Sequence, residues 1–135
     1  ERALMRGDLQ VSELEAAWND RFRADFGFEV DKPSNGVLQD VHWSVGLFGY
    51  FPTYTLGNVY AGCLYDALRE DIQTLDAELA RGNTSAATGW LRQKVQVHGG
   101  FHEPRQLIAQ AAGKPVTEAP LLAYLQRKFS QLYCL

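Results

Sequence analysis

Residues 51–82, FPTYTLGNVYAGCLYDALREDIQTLDAELARG, decide the fold class. Leu56, Tyr60, Leu64, Leu68 and Ile72 recur at every fourth position, and Leu75 and Leu79 prolong the stripe. That is the period of one helix face, not the alternation of a strand. Pro52 suits a first turn, where its missing N–H would have no helical partner in any case. A helix is therefore predicted to start near residues 51–53 and to run as the longest element until Gly82.

The same period holds on both sides. Between Ser12 and Gly27, Leu14, Trp18, Phe22 and Phe26 stand four apart, and Ser12 with Glu15 reads as a capping box ahead of them. Residues 28–35, with Asp31, Pro33 and Ser34, form a turn-rich connector. Further on, Thr84 or Ser85 can cap a helix that carries Trp90, Leu91 and Val95 and ends at Gly99-Gly100. A short helix is predicted over 103–112, with Pro104 in its first turn and Gly113 as its stop. A last one covers 117–133, with Leu121, Leu122, Leu125, Phe129 and Leu132. Only residues 36–41 offer a competing strand pattern, and no internal repeat is visible. The predicted class is all-α, one helical segment over residues 1–135.

Composition bounds the function. With 135 residues, 46% apolar and 21% charged, the chain has ordinary globular usage. A net charge of −3 with scattered Lys and Arg gives no basic footprint for nucleic acid. No apolar run is long enough to span a bilayer, so no membrane role is expected. Cys63 and Cys134 are isolated, without CxxC spacing, and read as two free thiols of a cytoplasmic protein. In that compartment the sequon Asn83-Thr84-Ser85 is only a turn into a helix.

Chemistry concentrates in residues 36–54, GVLQDVHWSVGLFGYFPTY. Gln39, Asp40, His42 and Trp43 are followed across a Gly-punctuated turn by Tyr50 and Tyr54, so an imidazole and two phenols can converge if the second half is helical. Spacing of four would place both phenols on one helix face. Each residue also has a plainer reading: His42 as a core histidine satisfied by Asp40 or a carbonyl, the tyrosines as packing with a satisfied hydroxyl, Asp40 as a turn cap. Trp43 reads as packing that locks the loop.

This segment resembles the signature GxxQDxHW of the M32 family of metallocarboxypeptidases, together with the family's GYFPTY-x-LG. The matching residues are Gly36, Gln39, Asp40, His42 and Trp43, then Gly49 to Tyr54 and Leu56-Gly57. The ERALM-x-GDL opening at Glu1, the GW-L segment at Gly89-Trp90-Leu91, and the spacing of Tyr124, Leu125, Lys128, Leu132 and Tyr133 extend the resemblance over the chain. It implies a helical, zincin-like enzyme that removes single residues from peptide C-termini and tends to be a homodimer. It also implies zinc or another divalent metal, held by an HExxH helix and a downstream Glu.

No HExxH occurs in these residues, and the chain opens at Glu1 inside what reads as a helix under way. The reading is therefore a C-terminal portion, inactive alone, whose partner is the missing N-terminal part. In helical zinc dipeptidases, which M32 enzymes resemble, a His and a Tyr outside the metal motif donate hydrogen bonds to the oxyanion. By that resemblance His42 and Tyr54 are the catalytic candidates. A neutral imidazole N–H and a phenol O–H can both donate without ionising. Gln39 and Tyr50 are candidates for substrate binding, and Asp40 and Trp43 for orientation. A helical interaction or scaffold module that keeps the fold without the chemistry is the alternative.

Two further features are set aside. His98 and His102 have the spacing of a helical metal pair, but Gly99 and Gly100 lie between them. Cys63 stands where the family pattern leads one to expect Gln, which removes any hydrogen bond that amide would make.

Overall fold

In the computed structural model, which describes residues 1–135, every regular element is helical and there is no strand. The all-α expectation therefore holds. Residues 36–41, the one competing stretch, form a short 3-10 turn at Val37–Gln39. The chain divides into two compact units, Glu1–Thr53 and Tyr54–Leu135.

In the first unit, α1 (Arg2–Arg6) stops at Gly7, whose φ of 78° is left-handed. Helix α2 (Leu14–Phe26) is preceded by a 3-10 turn, Val11–Glu13. The capping pair lies two residues earlier than predicted: the Gln10 N–H donates to Glu13 Oε2 at 2.9 Å, and Ser12 and Glu15 do not serve. Gly27 ends α2 in the left-handed conformation, as its position predicts. Phe22, Phe26 and Phe28 form an aromatic cluster, with Phe28 edge-on to Phe22 at 5.1 Å. Val37 is the one buried apolar side chain of this unit.

The second unit holds most of α3 (Pro52–Asp71), then α4 (Leu75–Ala80), α5 (Ser85–Lys94), α6 (Pro104–Ala112) and α7 (Ala119–Tyr133). The stripe of residues 51–82 is thus two helices, not one. Gln73 Nε2 donates to the Glu70 carbonyl at 2.8 Å and the chain turns at Ile72–Thr74, which sends Leu75 inward. Arg69 bridges the break to Asp76 at 2.7 Å.

Two apolar clusters result. One gathers Ala67, Leu68, Leu75 and Trp90; the other gathers Cys63, Ile108 and Val116. Leu75 is only 2% exposed, and the Trp90 indole N–H donates to Asp71 Oδ2 at 2.7 Å. Helices α3 and α7 touch through Gly62, where a Cβ would lie 2.9 Å from the backbone of Leu121. Lys114 binds Glu70 and Asp66 on α3, and the hydrogen bond to Glu70 is the main cause that raises its ammonium above the ordinary lysine range.

Helix α5 stops at Lys94, short of the predicted Gly99-Gly100, because Val95 leaves helical geometry and Gln96–His98 tightens into a 3-10 turn. Gly99 then takes φ 52° and ψ −131°, which breaks any helical register between His98 and His102. The Cys63 thiol is buried and donates to the Thr117 carbonyl at 3.3 Å. Cys134 is exposed, and both thiols are free. No helix is long and apolar enough to cross a membrane.

Candidate active site

The connector before α3 folds as successive 3-10 turns, Pro33–Asn35, Val37–Gln39 and Trp43–Val45. Gly36 joins the first two by necessity of space: a Cβ there would meet Val30 Cγ1 at 2.7 Å and Trp18 Cδ1 at 3.4 Å. The turn therefore presses on α2, and Asp40 emerges from it in extended conformation.

Asp40 grips His42 twice. Its Oδ1 accepts the His42 backbone N–H at 2.9 Å and faces the ring Nδ1 at 2.8 Å. The pair is sheltered, with side chains 9% and 16% exposed. A carboxylate only accepts, so the proton on Nδ1 is given to Asp40. Nε2 of the neutral ring is then an acceptor, and donation from it requires the imidazolium, whose charge Asp40 balances. This narrows the expectation of a neutral donor at His42.

The Tyr50 ring stacks on His42 with centroids 5.4 Å apart and planes 24° from parallel. Phe51 meets the same imidazole edge-on, also at 5.4 Å. Tyr50 precedes α3, so the argument that it shares a helix face with Tyr54 does not apply. Its carbonyl instead accepts from the backbone N–H and the Oγ1 of Thr53, at 3.0 and 2.6 Å, which fixes it at the entrance to the helix. Tyr54 lies in the first turn of α3, in the second unit, and is 53% exposed.

Trp43 closes the loop. Its ring is nearly parallel to Phe48, 3° apart with centroids at 6.2 Å, and its indole N–H donates to Glu1 Oε1 at 2.8 Å. In the same loop Gly46 and Gly49 both take φ 76°, and the His42 carbonyl accepts from the N–H groups of Val45 and Leu47. Gln39 donates from Nε2 to the Ser34 carbonyl. Because a carbonyl cannot donate, this orients the amide and leaves its oxygen to accept. Gln39, Asp40 and Trp43 border a groove of about 1050 Å³ whose walls include Trp18, Phe22 and Phe51.

The first unit thus brings Asp40, His42, Trp43 and Tyr50 together. Glu1, Ser34, Phe48 and Phe51 also shape the site, and sequence reasoning assigned them no part in it. Phe51 lies inside a quoted motif, so adjacency to Tyr50 was a usable signal; nothing local links Glu1 to a residue 42 positions away. No group of three or more His, Cys, Asp or Glu side chains is arranged to hold a metal ion.

The family model for Carboxypeptidase Taq (M32) metallopeptidase matches residues 1–129. The chain belongs to the M32 family. Among curated M32 relatives, thermostable carboxypeptidase 1 of Thermus thermophilus is 39% identical over 133 residues, 98% of this chain and 26% of the relative. Carboxypeptidase 1 of Bacillus subtilis is 38% identical over 135 residues, 100% of this chain and 27% of the relative. The crystal structure of the M32 carboxypeptidase from Deinococcus radiodurans R1 superposes with a TM-score of 0.92 at 37% identity, covering 99% of this chain and 27% of that one. The chain therefore spans about a quarter of the length of the M32 proteins it matches.

Proposed function

We propose that residues 1–135 act as one segment of the catalytic domain of a cytoplasmic, homodimeric, metal-dependent carboxypeptidase that removes single C-terminal residues from peptides. The metal, zinc or another divalent ion, would polarise the scissile carbonyl and activate water, and would be held by residues outside this chain in the N-terminal part that completes the enzyme. This segment binds and positions substrate and stabilises the oxyanion. The observation that carries the reading is the sheltered Asp40–His42 pair, stacked on Tyr50 in a chain of this family.

In this reading the His42 imidazolium donates from Nε2 to the developing oxyanion, while Asp40 holds the ring's orientation and offsets its charge. Tyr54 donates its phenol O–H to the same oxygen, a role supported by its place in the family motif rather than by geometry. Tyr50 binds substrate beside the imidazole. Gln39, with its amide oriented by Ser34, accepts a peptide N–H of the substrate through its carbonyl oxygen. Trp43 keeps the loop closed.

The test is steady-state kinetics of the complete enzyme. Asp40→Asn leaves an oxygen for Nδ1–H but no charge for the imidazolium, and Tyr54→Phe removes one donor. Each should lower kcat on the order of 100-fold to 1,000-fold while KM changes little, because the contacts strengthen only in the transition state. Tyr50→Phe should act mainly on KM. Retention of near-normal kcat by both Asp40→Asn and Tyr54→Phe would place these residues in the packing and end the proposal.

A further inference from the structure

The Trp43 indole N–H donates to Glu1 Oε1 at 2.8 Å, and this part-buried bond joins positions 42 residues apart. Trp43 is the residue directly after His42, and its ring is one half of the stack with Phe48 that closes the loop. Phe48 stands two residues before Tyr50, whose ring lies on the imidazole. Asp40 holds the start of the loop at His42, and the stretch after it lies near the surface. Leu47 and Phe48 are 42% and 49% exposed, Val45 is 71% exposed, and its backbone turns through two left-handed glycines. Buried apolar contact therefore does not hold the loop in place. The bond from Glu1, directly before α1, is a directed tie on it at Trp43, and a hydrogen bond to a charged acceptor is about twice as strong as a neutral one.

We infer that Glu1 is a positioning residue for the reaction proposed above: through Trp43 it sets the place of the His42–Tyr50 loop, without touching substrate. The role needs an acceptor at the Glu1 side chain and a donor on the indole, so the two residues act as one unit. It follows that either half can be removed with the same result and that removing both adds nothing. It follows also that Glu1→Gln, which keeps a carbonyl oxygen as acceptor, is the conservative rescue, whereas Glu1→Ala is not.

The inference rests on the proposed function for its kinetic readout only, so two measurements are paired. In the complete enzyme, the ¹⁵N-indole resonance of Trp43 should occupy a hydrogen-bonded position, shift to that of a water-exposed indole in Glu1→Ala, and stay near its original position in Glu1→Gln. In the complete enzyme, Glu1→Ala and Trp43→Phe should each lower kcat about tenfold with KM within about twofold. The double variant should match either single, and Glu1→Gln should keep turnover within about threefold of the unmodified enzyme.

An unmoved indole resonance in Glu1→Ala overturns the bond. Multiplying losses in the double variant, or a Glu1→Gln as poor as Glu1→Ala, overturns the positioning role even with the bond present. Failure of the proposed function would look different: Asp40→Asn and Tyr54→Phe would then keep turnover, while the indole shift would still report on Glu1.

Discussion

The two units of this chain are held together by different physics. The second has two apolar clusters, built on Leu68, Leu75 and Trp90 and on Cys63, Ile108 and Val116. The first buries Val37 alone among its apolar side chains and exposes Phe26, Phe28, Leu38, Val41, Val45, Tyr50 and Phe51. What it has instead is directed: the carboxylate of Asp40 on His42, the carboxylate of Glu1 on Trp43, the carbonyl of Ser34 on Gln39. Apolar burial is non-directional and tolerates small shifts, whereas hydrogen bonds fix angles but add only about 1 kcal/mol each in net stability. The unit that holds the Asp40–His42 pair is thus the one organised for geometry, and the other is organised for cohesion.

The largest effect that could break this contrast lies in the second unit. Leu75→Ala removes the side chain with the least exposure and should destabilise that unit by about 2 to 5 kcal/mol, seen as lost amide-exchange protection in α3, α4 and α5. A loss below about 1 kcal/mol would mean that the cluster is not the cohesive element. Next comes Gly62→Ala, whose Cβ must push against the backbone of Leu121 rather than a flexible side chain. Calorimetry should register a cost of about 1 to 3 kcal/mol from separating α3 and α7. A neutral result would show that the crossing relaxes freely.

In the first unit the corresponding numbers are smaller. Val37→Ala should cost roughly 1 to 2 kcal/mol, since only two methyl groups leave a buried site. A cost equal to that of Leu75→Ala would erase the difference between the units. Val41→Ser, one residue before His42 and 67% exposed, should change denaturant stability by no more than about 0.5 kcal/mol. A larger loss would reveal apolar support for the loop that the exposure denies.

Much of the helical architecture was legible because it obeys one rule. The four-residue stripe located α2, α3, α5 and α7, and glycines at positions 27 and 113 marked helix ends where φ is in fact positive. Two of the misses share a cause, which is competition from local polar contacts. Gln73 broke the long helix by taking the Glu70 carbonyl, and Gln10, with Glu13, displaced the predicted cap. At the site, the sequence marked Gln39, Asp40, His42, Trp43, Tyr50 and Tyr54 as a group, and of these the structure sets Asp40 and Tyr50 against His42. The tautomer at His42, the orientation of Gln39 and the bond from Glu1 to Trp43 were not legible. Each depends on which atom of a flexible side chain faces which neighbour, and no spacing rule encodes that.

The account turns on His42 doing chemistry rather than packing. Its most direct test is His42→Ala in the complete enzyme, with kcat and thermal unfolding measured on the same preparation at matched metal content. The account predicts a fall in kcat on the order of 100-fold to 1,000-fold, a KM within a few-fold, and a melting transition close to that of the unmodified enzyme. Turnover that survives the substitution, or that falls only in step with a lowered melting transition, would contradict it.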